Sequence, residues 1–346
     1  MDPARVSLPA VFRASCRRPP LPASMSRTVP HGFRWFAASA MACFLGVASL
    51  YSAGTGPKPR ILTTITPIFS WASAVAGTNA IVENLLPADV GPHAFQLRPS
   101  DLRRIRQADL IVANGLGLED WLDKAIGSNR GRSKAPRVLR VTEGWNLQLI
   151  HRLPILEIDP AAKPTDGHHH HDDDDSTPNP HVWLDPWFAR HAVSNLVAAF
   201  RAIDPANADS YQARADAYQS RLASLDRDLR ESIDRFPSKS IVTYHDAFPY
   251  FARRYGLDLV GVVEEVPSVE PSPRYLASLS KVIRARGVRV IFTEPQFDPR
   301  LVRQLSKDLG VAFAELDVLE TGPLAPSFYE DGMRRNLGTL RAMLAK

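Results

Sequence analysis

Cysteine is almost missing from this chain: its 346 residues contain two, Cys16 and Cys43, and both precede residue 54. From residue 54 onward there is no disulfide and no thiolate ligand. Any transition-metal site in that part has to be built from imidazole and carboxylate. An excess of charge is missing there too. Six of the 42 Lys and Arg residues (Arg5, Arg13, Arg17, Arg18, Arg27, Arg34) and one of the 37 Asp and Glu residues (Asp2) lie in residues 1–53, which leaves 36 of each sign beyond. The formal net charge of +5 belongs to the leading segment, and it gives no reason to expect a nucleic-acid partner. A run of membrane-spanning length is absent as well. Trp35 to Leu50 offers sixteen apolar or small residues, short of the roughly 20 that a span needs.

The leading segment has instead the order of a secretory signal. Arg27 and Arg34 precede the apolar run, and small residues follow it. Cleavage is expected at Val47-Ala48-Ser49, with Ser52-Ala53-Gly54 as the second choice and Met25 as an alternative start. Cys43 raises a lipid-anchored alternative, although Ala40-Met41-Ala42 before it lacks the usual leucine; an uncleaved anchor is the other. The expectation is a leader over 1–53 and a periplasmic protein after it.

Over the whole chain, 45% apolar and 23% charged residues suit a soluble globular protein with room for two domains. Arg60–Ile65 reads as a buried strand, Pro99–Gln107 as a helix, Asp109–Ala113 as a strand, Glu119–Ile126 as a helix and Arg137–Val141 as a strand. Residues 158–180, rich in Pro, Asp and His, form a solvated loop that cannot build a core. Asp185-Pro186 caps a helix to about Ile203. From Asp204-Pro205, an apolar stripe of Tyr211, Tyr218, Leu222, Leu225, Leu229 and Ile233 marks one helix of roughly 28 residues, either a core helix or a rod joining two domains. After Phe236-Pro237 four strand–helix units follow in strict alternation, the pattern of a parallel sheet covered by helices. The fold class is α/β: an N-terminal lobe over 54–203, a linking helix over 204–236 and a C-terminal lobe over 237–346.

In open parallel sheets ligands bind beyond the carboxyl ends of the strands. His245, Glu294 and Asp317 each follow a strand there, and His93 and His181 sit in proline-rich turns of the first half. Three imidazoles with one carboxylate or water make a four-coordinate site; neutral imidazole suits Zn2+, Cu2+ and Ni2+, whereas Mn2+ prefers more carboxylate and water.

Five segments occur in order: Pro92-His-Ala-Phe-Gln-Leu-Arg-Pro-Ser-Asp101, Pro180-His-Val-Trp-Leu-Asp185, Tyr244-His-Asp-Ala-Phe-Pro-Tyr-Phe251, Glu294-Pro-Gln-Phe-Asp-Pro299 and Leu316-Asp317. Together they resemble the signatures of the periplasmic zinc-binding proteins of ABC importers, across about residues 60–346. The resemblance implies two α/β lobes joined by a rigid helix, with one metal in the cleft between them. It implies His93, His181, His245 and Asp317 as ligands, no catalysis, and a membrane permease with its ATPase as partner to a monomer. After the aspartate this chain continues Val318-Leu319-Glu320, where the family usually has Pro-Leu-Gly. Zinc members commonly carry a His/Asp-rich loop before the second ligand. Here His168, His169, His170, His171, Asp172, Asp173, Asp174 and Asp175 would form weak, exchangeable sites that gather metal beside the cleft. The alternatives are a manganese- or iron-binding homologue, a metal-buffering adhesin on the same fold, and a zinc hydrolase. The last would need a general base; Glu294 is the only spare acid at a strand end, and the chain has no His-Glu-x-x-His helix.

Overall fold

The computed structural model describes residues 56–127, 136–145, 149–151, 178–264 and 269–345. The expected leader and the His/Asp-rich tract at 168–175 lie outside the described residues.

Two four-stranded parallel sheets carry the chain. The first is built from β1 (Arg60–Thr63), β2 (Ile81–Asn84), β3 (Leu110–Ala113) and β4 (Arg137–Arg140), in the order β2-β1-β3-β4. The second contains β5 (Ser240–Thr243), β6 (Asp258–Val262), β7 (Val290–Thr293) and β8 (Ala312–Glu315), in the order β6-β5-β7-β8. Composition follows position. The inner strands β3 (Leu-Ile-Val-Ala) and β7 (Val-Ile-Phe-Thr) are buried throughout and wholly or nearly apolar, as a strand covered on both faces must be. The edge strand β8 is mostly exposed, with only Ala314 half-buried.

Helices cover the sheets. In the first half these are α1 (Thr66–Ala76), α2 (Pro99–Gln107), α3 (Asp120–Gly127) and α4 (Pro186–Ile203). A 3-10 turn at Pro205–Asn207 then leads into α5 (Ala208–Ile233), whose 26 residues span about 39 Å. Only one face of α5 is buried: Tyr211, Ala215, Tyr218, Leu222, Leu225, Leu229 and Ile233, at spacings of three and four. Each leucine or isoleucine side chain among them contributes roughly 1.5–3 kcal/mol by leaving water. This helix therefore binds to the body along its length and does not cross open solvent. The second half adds α6 (Pro249–Tyr255), α7 (Pro273–Ala285), α8 (Arg300–Leu309) and α9 (Phe328–Leu344).

Helix α9 departs from simple alternation. It packs on α5 and on α1 of the first half. The Tyr329 ring meets Trp71 edge-on at 5.2 Å, and its hydroxyl donates to the Trp183 carbonyl at 2.8 Å. Apolar residues of both halves thus share one core, which makes their relative placement a matter of packing as well as of chain connection. No helix among the described residues is long and apolar enough to cross a membrane.

Candidate metal centre

Four side chains converge where the halves meet: His93, His181, His245 and Glu320 each offer a ligand atom within 4.8 Å of the others. His93 sits in a 3-10 turn, Pro92–Ala94, that follows β2. The glycine before that turn lies under Glu320; a Cβ on Gly91 would come within 3.2 Å of its Oε2. His181 opens a second 3-10 turn, Val182–Leu184, whose Trp183 indole donates to the Val318 carbonyl at 2.8 Å. His245 leaves the end of β5 in a tight turn, closed by Thr243 Oγ1 donating to the His245 carbonyl at 2.9 Å.

The distances fit a small cation. Nε2 of His181 is 3.2 Å from Nε2 of His93 and 3.2 Å from Nε2 of His245. Glu320 Oε1 is 3.5 Å from His181 Nε2 and 3.6 Å from His93 Nε2. A tetrahedron with bonds of about 2.0–2.1 Å has edges of roughly 3.3–3.4 Å. Buried Glu320 Oε1 has no hydrogen-bond partner, and an unpaired carboxylate oxygen is costly to bury without a cation. Three of the four residues are buried, while the His93 side chain keeps 30% of its exposure, so solvent reaches the centre from its side.

Both buried imidazoles are held by Nδ1, which leaves Nε2 facing inward. His245 Nδ1 donates to Glu294 Oε1 at 2.6 Å, and the His245 backbone N–H reaches the same oxygen at 3.2 Å. His181 Nδ1 donates to Asn179 Oδ1 at 2.9 Å. The different partners separate the two rings electrostatically. Burial, reinforced by the neighbouring His245 charge, holds His181 well below its ordinary pKa. Burial lowers His245 too, but the Glu294 charge and hydrogen bond outweigh it and raise the pKa to about 9. A cation bound by all three rings needs them unprotonated on Nε2, so its binding would displace protons.

The four-residue group includes Glu320 where the sequence pointed to Asp317. Asp317 is committed to the turn beneath. Its Oδ1 accepts from Leu319 N–H at 2.7 Å, its backbone pairs both ways with the Asn336 amide at 2.7 and 2.8 Å, and Arg335 approaches its Oδ2 at 3.7 Å. That turn carries Leu319 at φ +63 and presents Glu320, whose carbonyl is fixed by Thr66 Oγ1 at 3.1 Å. The one available signal for Glu320 was an acid where the resembling family has glycine. Two further residues were missed: Asn179 and Glu119. Glu119, which is buried, accepts from Thr64 Oγ1, Asn114 N–H and Gly115 N–H at 2.7–2.9 Å. Asn114 in turn donates to the Pro180 carbonyl, next to His181, at 2.9 Å.

Residues 61–343 match the sequence model of the family described as ZnuA, zinc-uptake complex component A, periplasmic. The zinc-binding protein AdcA of Streptococcus pyogenes serotype M3 is 28% identical over 297 residues, covering 82% of this chain but 56% of the relative, so this chain spans little more than half its length. The iron-binding protein YfeA of Yersinia pestis is 31% identical over 261 residues, 75% of this chain and 76% of that one. A solved Zn(II)-bound variant of AdcAII from Streptococcus pneumoniae superposes with a TM-score of 0.68 at 26% identity, covering 83% of this chain and 98% of its own. On a match that takes in 283 of its 346 residues, the chain belongs to the family of periplasmic zinc-uptake complex component A.

Proposed function

We propose that this protein captures one Zn2+ at His93, His181, His245 and Glu320 outside the cytoplasm and delivers it to the permease of an ABC importer. It acts as a monomer, after export directed by residues 1–53. One observation carries the reading: Nε2 atoms about a tetrahedron edge apart, closed by a buried carboxylate oxygen that lacks any other partner. Four protein ligands leave no open position for an activated water, the mark of a capture site and not of a hydrolytic one. Glu294, the acid nominated as a base, is engaged with His245 and Gln296.

The test is metal analysis of the purified chain after exhaustive dialysis, which should return about one equivalent of zinc. Glu320→Gln should weaken binding about tenfold or more, while Asp317→Asn, which keeps an acceptor for Leu319 N–H, should stay within about threefold. A stoichiometry of zero would end this reading. A preference for Fe2+ or Mn2+ over Zn2+ would reassign the cargo, in line with the iron-binding relative. N-terminal sequencing of the exported form should find cleavage near residue 50; recovery of intact Met1 would refute it.

A further inference from the structure

The centre draws its ligands from both halves of the chain, and one uncharged side chain touches both. Asn179 is 4% exposed and uses every hydrogen-bonding position of its amide. Its Oδ1 accepts from the backbone N–H of His181 at 3.0 Å and from His181 Nδ1 at 2.9 Å. Its Nδ2 donates to the carbonyl of Asp246 at 2.7 Å and to the Asp246 carboxylate at 3.1 Å. Asp246 directly follows His245. The backbone of Asn179 is fixed as well: its N–H donates to the Ile150 carbonyl at 2.7 Å, and its carbonyl accepts from the Tyr250 hydroxyl at 2.9 Å.

These contacts settle the orientation of the amide. A backbone N–H can only donate and a backbone C=O can only accept, so Oδ1 must face His181 and Nδ2 must face Asp246. It follows that the His181 ring carries its proton on Nδ1 and turns a bare Nε2 toward the other two imidazoles. We propose that Asn179 is a positioning residue for the centre: one end of its amide selects the binding tautomer of His181, and the other ties that histidine to the segment bearing His245. The inference rests on the zinc-capture reading for its consequence, but not for its geometry. An amide suits the double task because it is acceptor and donor at once. A carboxylate at 179 would keep the hold on His181 and lose the hold on Asp246, setting a like charge against it.

That asymmetry defines the experiment. Zinc dissociation constants come from competition with a chromophoric chelator, and the His181 tautomer comes from ring 15N shifts in the metal-free protein. Asn179→Ala should weaken zinc about 10–100-fold, the range found when a ligand's supporting hydrogen bond is removed, and should leave the His181 ring in mixed tautomers. Asn179→Asp should keep the native tautomer yet weaken zinc. Adding Asp246→Asn to it, which restores a donor between the two side chains, should recover most of the lost affinity. Native affinity and a native tautomer in Asn179→Ala would overturn the inference, as would a double variant no better than Asn179→Asp. Should Asn179→Ala fail to fold, the aspartate pair decides alone. Should the native protein bind no divalent metal, the capture reading falls, whereas the ring shifts still judge whether Asn179 sets the tautomer.

Discussion

The two halves use the same strand order, and each places a buried glutamate just beyond its third strand: Glu119 after β3 and Glu294 after β7. Both carboxylates are raised in pKa by burial, and both accept from backbone N–H groups. They differ in reach. Glu294 touches the imidazole of His245 itself, while Glu119 builds the turn at Asn114 and Gly115 and affects His181 only through the Pro180 carbonyl. In the first half the task of holding the ring falls to the neutral Asn179. The same scaffold position thus serves the backbone on one side and the ligand on the other.

Substituting each glutamate should pull the two roles apart. Glu119→Leu leaves three buried donors without a partner, each costing about 1–3 kcal/mol, so a loss of about 3 kcal/mol or more in unfolding free energy is expected by denaturant titration. Zinc affinity of the molecules that remain folded should change little. Glu294→Gln should do the reverse: zinc about 10–100-fold weaker, through the weakened support of His245, with a smaller loss of stability. If Glu119→Leu weakens zinc as much as Glu294→Gln does, the two residues are equivalent and the contrast fails.

The seam between the halves gives a third test. Asp185 caps α4 by accepting from Trp187 N–H at 2.8 Å, and Arg254 of α6 approaches its Oδ1 at 3.3 Å while also gripping Asp226 of α5 at 2.6 and 2.9 Å. Burial raises the Asp185 pKa from 3.8 to about 6, with Arg254 only partly offsetting it. The folded state therefore holds this proton more tightly than the unfolded chain. The stability it contributes is complete below pH 3.8 and is lost as the pH rises through about 6. Asn caps a helix about as well as Asp, so Asp185→Asn should gain on the native protein by about 2 kcal/mol between pH 4 and pH 7. Parallel stability–pH curves for the two proteins would mean that Asp185 titrates normally and that the seam is more open to water than its geometry indicates.

The second half is the more legible from sequence, because each of its helices keeps a polar face and each strand is bounded by Gly, Pro or charge. Helix α1 and strand β2 gave no comparable signal. Thr66, Pro67, Ile68, Ser70, Trp71, Ala72, Val75 and Ala76 are all buried, so α1 shows little polar–apolar periodicity. The packing of α9 on the first half was hidden for another reason: its apolar stripe announces a buried face but not the partner that buries it. At the centre, the histidines stood out by residue type and turn context. The choice between Asp317 and Glu320 did not, since two acids three residues apart look alike until the left-handed Leu319 turns one into the centre and the other beneath it. Asn179 lay in the stretch 158–180 read as a solvated loop, yet it is buried, and its second contact, with Asp246, is 67 residues away.

The smallest expected effect on the centre comes from the tract richest in metal-binding residues. His168 to Asp175 hold four imidazoles and four carboxylates in a row, yet none is needed to complete the four-residue group, which already supplies a tetrahedral set. A tract composed of His and Asp, with no apolar residue to bury, would also lose conformational entropy on closing around an ion. Deleting Gly167–Asp175 should therefore leave the tight equivalent of zinc and its dissociation constant unchanged. In a calorimetric titration the deletion should remove only weak additional equivalents, and in cells it should slow growth only when zinc is scarce. The deletion also sharpens the comparison of the two histidines, because the tract lies shortly before Asn179 and His181 in sequence and far from His245. A tight site that weakens on deletion and is restored by a neutral linker of equal length would show that the tract acts through the placement of Asn179. A tight site lost under both changes would mean that the tract itself supplies a ligand, and the assignment of His93, His181, His245 and Glu320 as the complete set would be wrong.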